Sequence, residues 1–276
     1  MIWHKFSPAI LTLLVFLLAQ GLGSVLLFVI GILVSPDFKA AVLAYVSGSG
    51  QAVLSFDQIP VSYFALTLMA VNILAILACH AFLHNIRFTT ACDISSVKWL
   101  PGMMAVAGGI FGAMSISILT DSVEIPDMLQ QLSLAMSHSF WGLLALTIVG
   151  PITEEFLFRE AIIGEMLRRG ATPWGAILIS SIAFGIMHLN LAQGIYALPL
   201  GIIFGIIYYK TGSIVLTSLL HILNNSIVVI QIYAFGEDMA DISYADWFGG
   251  GLKACIAILF MGLSSIMLMK LFWDSQ

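Results

Sequence analysis

The sequence predicts an all-α fold, a polytopic membrane protein built as a bundle of about eight transmembrane helices. Three observations predict it. Hydrophobic side chains make up 60% of the 276 residues. Charged side chains make up 9%, against about a quarter in ordinary soluble domains. The mean hydropathy is +1.04. So few charges cannot cover the surface of a soluble globule of this size. The same composition excludes a disordered chain and a disulfide-rich scaffold. Cys79, Cys92 and Cys255 are too few and too scattered for a disulfide framework or a thiolate zinc site, and they read as small apolar fillers. A net charge of −5 gives no footprint for nucleic acid, so none is expected as a partner.

A helix crosses the bilayer with about 20 mostly apolar residues. Residues 8–34 form the first such stretch. It is too long for the core of a signal peptide and no small-x-small cleavage site closes it, so it reads as a crossing. Further crossings are expected over 61–83, 99–120, 139–159 (with helix continuing to Arg168), 173–191, 194–209, 213–235 and 249–273. The sixth is the shortest of these. Between the first two, residues 35–60 read as an outer loop with an interfacial helix.

The basic residues sort by side. With the N-terminus inside, Lys5, Arg87, Lys98, Arg159, Arg168, Arg169, Lys210 and Lys270 fall on the inner side, and Lys39 and Lys253 on the outer. This asymmetry places both termini in the cytoplasm, and the short loops and lack of targeting signals point to the plasma (inner) membrane for this multi-pass chain. Asp121, Glu124 and Asp127 fall outside, as do Glu237, Asp238, Asp241 and Asp246. The loops are short, so residues 1–276 read as a single transmembrane domain. The pairs Gly108/Gly112 and Gly201/Gly205 let helix backbones approach closely, and packing within the chain is the reading preferred over a dimer interface.

Ionisable groups inside a crossing are costly and mark function by default. Here they concentrate in the second half. Glu155 and Arg159 are four residues apart and share a helix face, where they can pair. Glu154 is turned away by about 100°. It is left as the unpaired carboxylate, suited to general-base work. Phe184 and His188 share a face of the fifth crossing; a lone histidine on an apolar helix is more often a hydrogen-bonded core residue than a catalytic one. His221 and Asn225 share a face of the seventh. Two donors so placed can hold an oxyanion, or they can clasp one helix to another. Asn224 is a weaker competitor for the same role. A rise of about 1.5 Å per residue brings Glu154 and His188 each about 21 Å above the inner helix ends, and Asn225 about 18 Å. Three separate segments thus deliver polar groups to a similar level.

Glu154-Glu155-x-x-x-Arg159, Phe184-x-x-x-His188 and His221-x-x-x-Asn225, in this order on successive membrane helices, resemble the CPBP family. These are the type II CAAX prenyl endopeptidases and the bacterial proteins related to bacteriocin processing and self-immunity, the former Abi family. The resemblance covers residues 139–235 as a catalytic core. It implies an eight-helix bundle that hydrolyses a peptide bond of a membrane protein or peptide substrate within the lipid bilayer. It implies that Glu154 and His188 activate a water, that His221 and Asn225 form the oxyanion hole, and that Glu155, Arg159 and Phe184 support them. Family members often carry Gly after the motif Arg; here Glu160 stands there.

A metal is the alternative. Glu154, His188 and His221 could supply three ligands to Zn2+ with one position open. The His-Glu-x-x-His helix is absent, however, and Asn225 would be an odd neighbour for zinc. The expectation is therefore a reaction with no cofactor, with Zn2+ kept as the alternative. No Gly-x-Ser-x-Gly elbow lies in a crossing and no Gly-x-Gly-Asp signature is present. Two readings from other classes stay open: a membrane protein that acts by binding, as in immunity, and a proton-coupled transporter relaying through Glu154 and His188. A transporter would be expected to show broken helices in both halves.

Overall fold

A computed structural model describes residues 2–47, 58–121, 130–235 and 244–276. Every regular element among them is helical. The long helices are α1 (Ile2–Val34), α2 (Val61–Leu83), α3 (Trp99–Asp121), α4 (Phe140–Arg168), α5 (Pro173–Met187), α6 (Leu191–Thr211), α7 (Val215–Phe235) and α8 (Gly251–Ser275). Seven of them are long and apolar enough to cross a bilayer. The exception is α5, with 15 residues. The fifth crossing therefore falls short of the expected 173–191. Helix α6, expected to be the shortest, is a full 21 residues. A short helix at Pro36–Ser47 occupies the expected interfacial position. The remainder of that loop up to residue 57, Glu124, Asp127, Glu237, Asp238 and Asp241 lie outside the described residues.

Helix α4 is the centre of the bundle. Leu157, Ile162, Ile163 and Met166 are fully buried on it, packed by α1, α2, α5 and α6. It is not a uniform α-helix. Residues Ala145–Val149 and Phe156–Gly164 are π-helical, so the α-helical turn Gly150–Glu155 is held between two wider stretches. Such π segments occur mostly at functional sites. They also pack more residues per turn, so Glu154 lies nearer the inner end than an all-α rise implies.

Local chemistry sets the ends around α4 and α5. Gly170, at φ 76°, ends α4 with a left-handed cap, and Ala171 N–H reaches back to Met166 O at 2.9 Å. Thr172 then caps α5, its hydroxyl accepting from Gly175 N–H at 3.3 Å, and Pro173 takes the first helical position. Helices α5 and α6 form a tight hairpin. A Cβ at Gly201 would lie 3.1 Å from Ser181 Cα, so bare glycine sets their approach. Gly108 does the same for α3 against α8, where a Cβ would meet Leu268 Cβ at 3.0 Å. Both small-residue pairs thus serve packing within the chain.

The turn between α5 and α6 is held at a conformational cost. Leu189 has φ 51°, a left-handed conformation that costs a residue with a Cβ roughly 1–2 kcal/mol. Its side chain is 79% exposed, so it recovers little by packing. Replacing Leu189 by Gly should stabilise the fold by about 1 kcal/mol. Thermal unfolding in detergent would show this as a raised midpoint, and a lowered one would refute the strain.

Candidate active site

The site grows from the buried turn of α4. Arg159 and Glu155 have no exposed surface, and Arg159 Nε donates to Glu155 Oε2 at 2.9 Å. The spacing of four residues delivers this pair, as their shared face requires. The guanidinium is further satisfied by Ser180 Oγ at 3.5 Å and lies over the rings of Phe184 and Phe204, 5.0 and 5.4 Å from their centroids. Ser180 in turn donates to Phe158 O at 2.7 Å.

His221 joins this pair from α7. Its Nδ1 lies 3.1 Å from Glu155 Oε1. A carboxylate engaged by arginine accepts, so Nδ1 carries the proton and Nε2 is the working atom. Nε2 faces Glu154 Oε2 at 3.7 Å. The result is a line Arg159–Glu155–His221–Glu154 that begins in the sealed interior and ends on a carboxylate whose side chain is 27% exposed. Glu154 is thus the open carboxylate of the two. It is not without a neighbour, as the helical face alone had implied, because α7 brings His221 to it. The phenyl ring of Phe184 closes the wall, edge-on to His221 at 5.8 Å and to His188 at 4.9 Å.

His188 is not inside α5 but at its C-cap. There the last turn tightens, and His188 N–H turns to Gly185 O at 3.4 Å. The ring then takes the carbonyl its own amide would have met, Nδ1 lying 2.7 Å from Phe184 O. A carbonyl can only accept, so Nδ1 again carries the proton and the Nε2 lone pair of the neutral ring is left available. The ring is half-buried.

Asn225 is placed by a proline. In the π stretch, Gly150 N–H goes to Ala145 O. The next residue is Pro151, which has no N–H. Leu146 O is therefore left without a backbone donor, and Asn225 Nδ2 fills it at 2.9 Å. Asn224 Nδ2 donates to Asn225 Oδ1 at 3.2 Å, and Asn224 Oδ1 accepts from Tyr196 Oη at 2.7 Å. Asn224 thus orients its neighbour rather than competing with it. His221 and Asn225 both clasp α7 to α4, and each keeps a further polar atom: Nε2 on one, a second amide hydrogen on the other. Ser180, Tyr196 and Phe204 were not singled out from the sequence. Tyr196 and Ser180 carry a readable signal, being polar groups in apolar helices; Phe204 carries none.

Glu160 belongs to a separate inner network. It is 2% exposed. It accepts from Tyr208 Oη, from Arg168 Nη1 at 3.0 Å and from Arg87 N–H at 3.2 Å. Gly164 leaves room for the Tyr208 hydroxyl.

No cluster of three or more His, Cys, Asp or Glu placed to hold a metal occurs among the described residues. Of the trio Glu154, His188 and His221, the two histidines each hold Nδ1 on a protein acceptor and keep Nε2 free, an arrangement that metal-bound histidines also use.

Removing Glu155 would leave Arg159 buried without its partner. Glu155→Ala should cost about 3–5 kcal/mol, and Asn225→Ala about 1–3 kcal/mol through the orphaned Leu146 carbonyl. Glu154→Ala, at the open end, should cost less than about 1 kcal/mol. Unfolding measured in one detergent ranks the three, and a Glu154 variant as damaging as the Glu155 one would contradict this geometry.

Residues 136–227 match the family model described as type II CAAX prenyl endopeptidase Rce1-like. That segment contains every residue of the line above together with His188 and Asn225. The chain is similar to YdiL of Bacillus subtilis (strain 168), a candidate membrane peptidase, with 36% identity over 85 residues. This covers 31% of the chain and 34% of YdiL. It is also similar to the membrane-embedded CAAX protease MroQ of Staphylococcus aureus (strain USA300), with 30% identity over 89 residues, 30% of the chain and 36% of MroQ. The chain thus spans about a third of the length of these relatives. No solved structure matches it significantly. The resemblance read from the three motifs is borne out over this core.

Proposed function

We propose that this chain, whose residues 136–227 are Rce1-like, is an intramembrane endopeptidase. It hydrolyses a peptide bond in a membrane-associated or lipidated protein or peptide. The observation that carries the reading is the line of contacts from buried Arg159 to half-open Glu154. An ion pair sealed from water fixes the His221 tautomer, and His221 presents Nε2 to the carboxylate that can meet a water.

Glu154 takes a proton from that water as its oxygen attacks the scissile carbonyl carbon. His188, with Nε2 available, shares this general-base work. The tetrahedral oxyanion is met by the second amide hydrogen of Asn225 and by His221 when Nε2 is protonated. The proton then passes from Glu154 or His188 to the leaving amine as the C–N bond breaks. Glu155 and Arg159 do not touch substrate; they hold His221. The reaction so written is of the glutamate type and requires no metal. The membrane is the plasma (inner) membrane, with both termini cytoplasmic, as the placement of Lys and Arg supports.

The test is cleavage of a mixed pool of membrane-segment and prenylated peptides by protein purified in detergent, read by mass spectrometry. Glu154→Gln should lower turnover by roughly 10²–10⁴-fold with the unfolding midpoint unchanged. A chelator should leave the wild type active. Loss of activity with chelator, restored by Zn2+, would replace the glutamate mechanism with a metal one. Full cleavage by Glu154→Gln would remove Glu154 from the chemistry.

A further inference from the structure

The C-terminal end of α2 combines two unusual features. Its last residues, Cys79–Leu83, are π-helical. They run into His84, whose φ of 52° is left-handed without being glycine. Strained non-glycine residues and π segments both cluster at binding sites. Here they bend the chain around a groove of about 460 Å³ lined by His80, His84, Ile86, Arg87, Phe88, Thr89 and Thr90.

The lining is one-signed. It contains two imidazoles, one guanidinium and two hydroxyls, and no Asp or Glu. Arg87 spends its backbone N–H on buried Glu160, yet its guanidinium makes no ion pair among the described residues. The nearby arginines differ in this respect. Arg168 and Arg169 are each neutralised by Glu165, and Arg168 also by Glu160. His80 is held by its Nδ1 on Ile86 O at 2.9 Å, which leaves Nε2 as its free ring nitrogen. The loop is pinned from beneath, with Arg168 Nη2 on Asn85 O at 2.9 Å and Asn85 Nδ2 on Thr12 Oγ1 at 2.8 Å. Beside the groove Phe82 is 80% exposed, an apolar neighbour suited to acyl chain.

We propose that this groove binds the phosphate of an anionic phospholipid headgroup. Arg87 supplies the fixed charge, and the threonine hydroxyls supply hydrogen bonds, with the His80 and His84 rings lining the seat. Position favours a lipid over a soluble anion, because the groove lies at the end of the bundle where Arg168 and Arg169 also emerge and where a membrane surface would stand. The groove is joined to the site already described. His80 packs on Phe88 at 5.0 Å, and Phe88 on Phe156 at 5.2 Å, the residue after Glu155.

Native mass spectrometry of the full chain in detergent tests this. The probes are dioleoyl phosphatidylglycerol, dioleoyl phosphatidylcholine and inorganic phosphate. Wild type should retain phosphatidylglycerol over phosphatidylcholine by roughly five-fold or more. Arg87→Gln should erase that preference, and His80→Gln with His84→Gln should reduce it. Arg87→Lys should keep most of it, and Lys253→Gln, far from the groove, should keep all of it. Equal retention of the two lipids by wild type would overturn the proposal, as would an Arg87→Gln protein that unfolds at the wild-type midpoint and keeps the preference. Abolition of phosphatidylglycerol binding by millimolar inorganic phosphate would assign the groove to a soluble anion and overturn it too. None of these readouts depends on peptidase activity.

Discussion

A guanidinium with no exposed surface stands inside an apolar bundle, and the surrounding structure answers to it. Moving such a charge out of water carries a penalty of several kcal/mol, so Arg159 has to be met on every side. Glu155 neutralises it, Ser180 takes a further N–H, and Phe184 and Phe204 offer ring faces. Those partners come from α4, α5 and α6. Because Glu155 is fixed by Arg159, it can fix His221 on α7. Four helices are thus registered around one ion pair, and the orientation of the His221 imidazole follows from it. The pair is better understood as a device for precision than as a source of stability.

A second constraint is the fate of freed carbonyls. Pro8 removes the N–H that would meet His4 O, and Ser7 Oγ and Arg169 Nη1 turn to that oxygen, each at 3.4 Å. Pro151 does the same for Leu146 O, and Asn225 answers. At the end of α5 the tightened last turn releases Phe184 O, and His188 answers. In a medium without water each such oxygen must find a donor. Two of the four donors are motif residues, so the backbone's own requirements aim the side chains of the site.

Much of this could be read from the residues. Composition gave the all-helical membrane class, and apolar runs located seven long helices near their true bounds. The spacing of Glu155 and Arg159 gave their contact, because four residues close on one face whether the turn is α or π. Other features were hidden for physical reasons. Glu154 looked isolated because one helix's geometry says nothing of what a distant helix brings to it. The length of α5 was misjudged because the apolar run continues through Leu189 and Leu191, while the chain turns at Leu189 in a conformation that leucine does not advertise. Asn225 looked like a free donor because its acceptor depends on a π register and a proline 74 positions earlier. The inner network of Glu160, Tyr208 and Arg168 drew little notice, since a glutamate at a helix end resembles a solvated one until its neighbours are known.

The shortness of α5 has a consequence for the lipid around it. Fifteen residues rise about 22 Å, against about 30 Å of hydrocarbon in an ordinary bilayer. Its exposed flank, with Leu178, Ile182 and Ile186, offers acyl chains a hydrophobic wall shorter than the membrane is thick. Such mismatch is relieved by local thinning of the bilayer. A dimple in the bilayer would lie beside His188, because that is where the wall ends. Thinning there would bring the aqueous boundary toward His188, and the thickness of the surrounding membrane would then set how readily water reaches it.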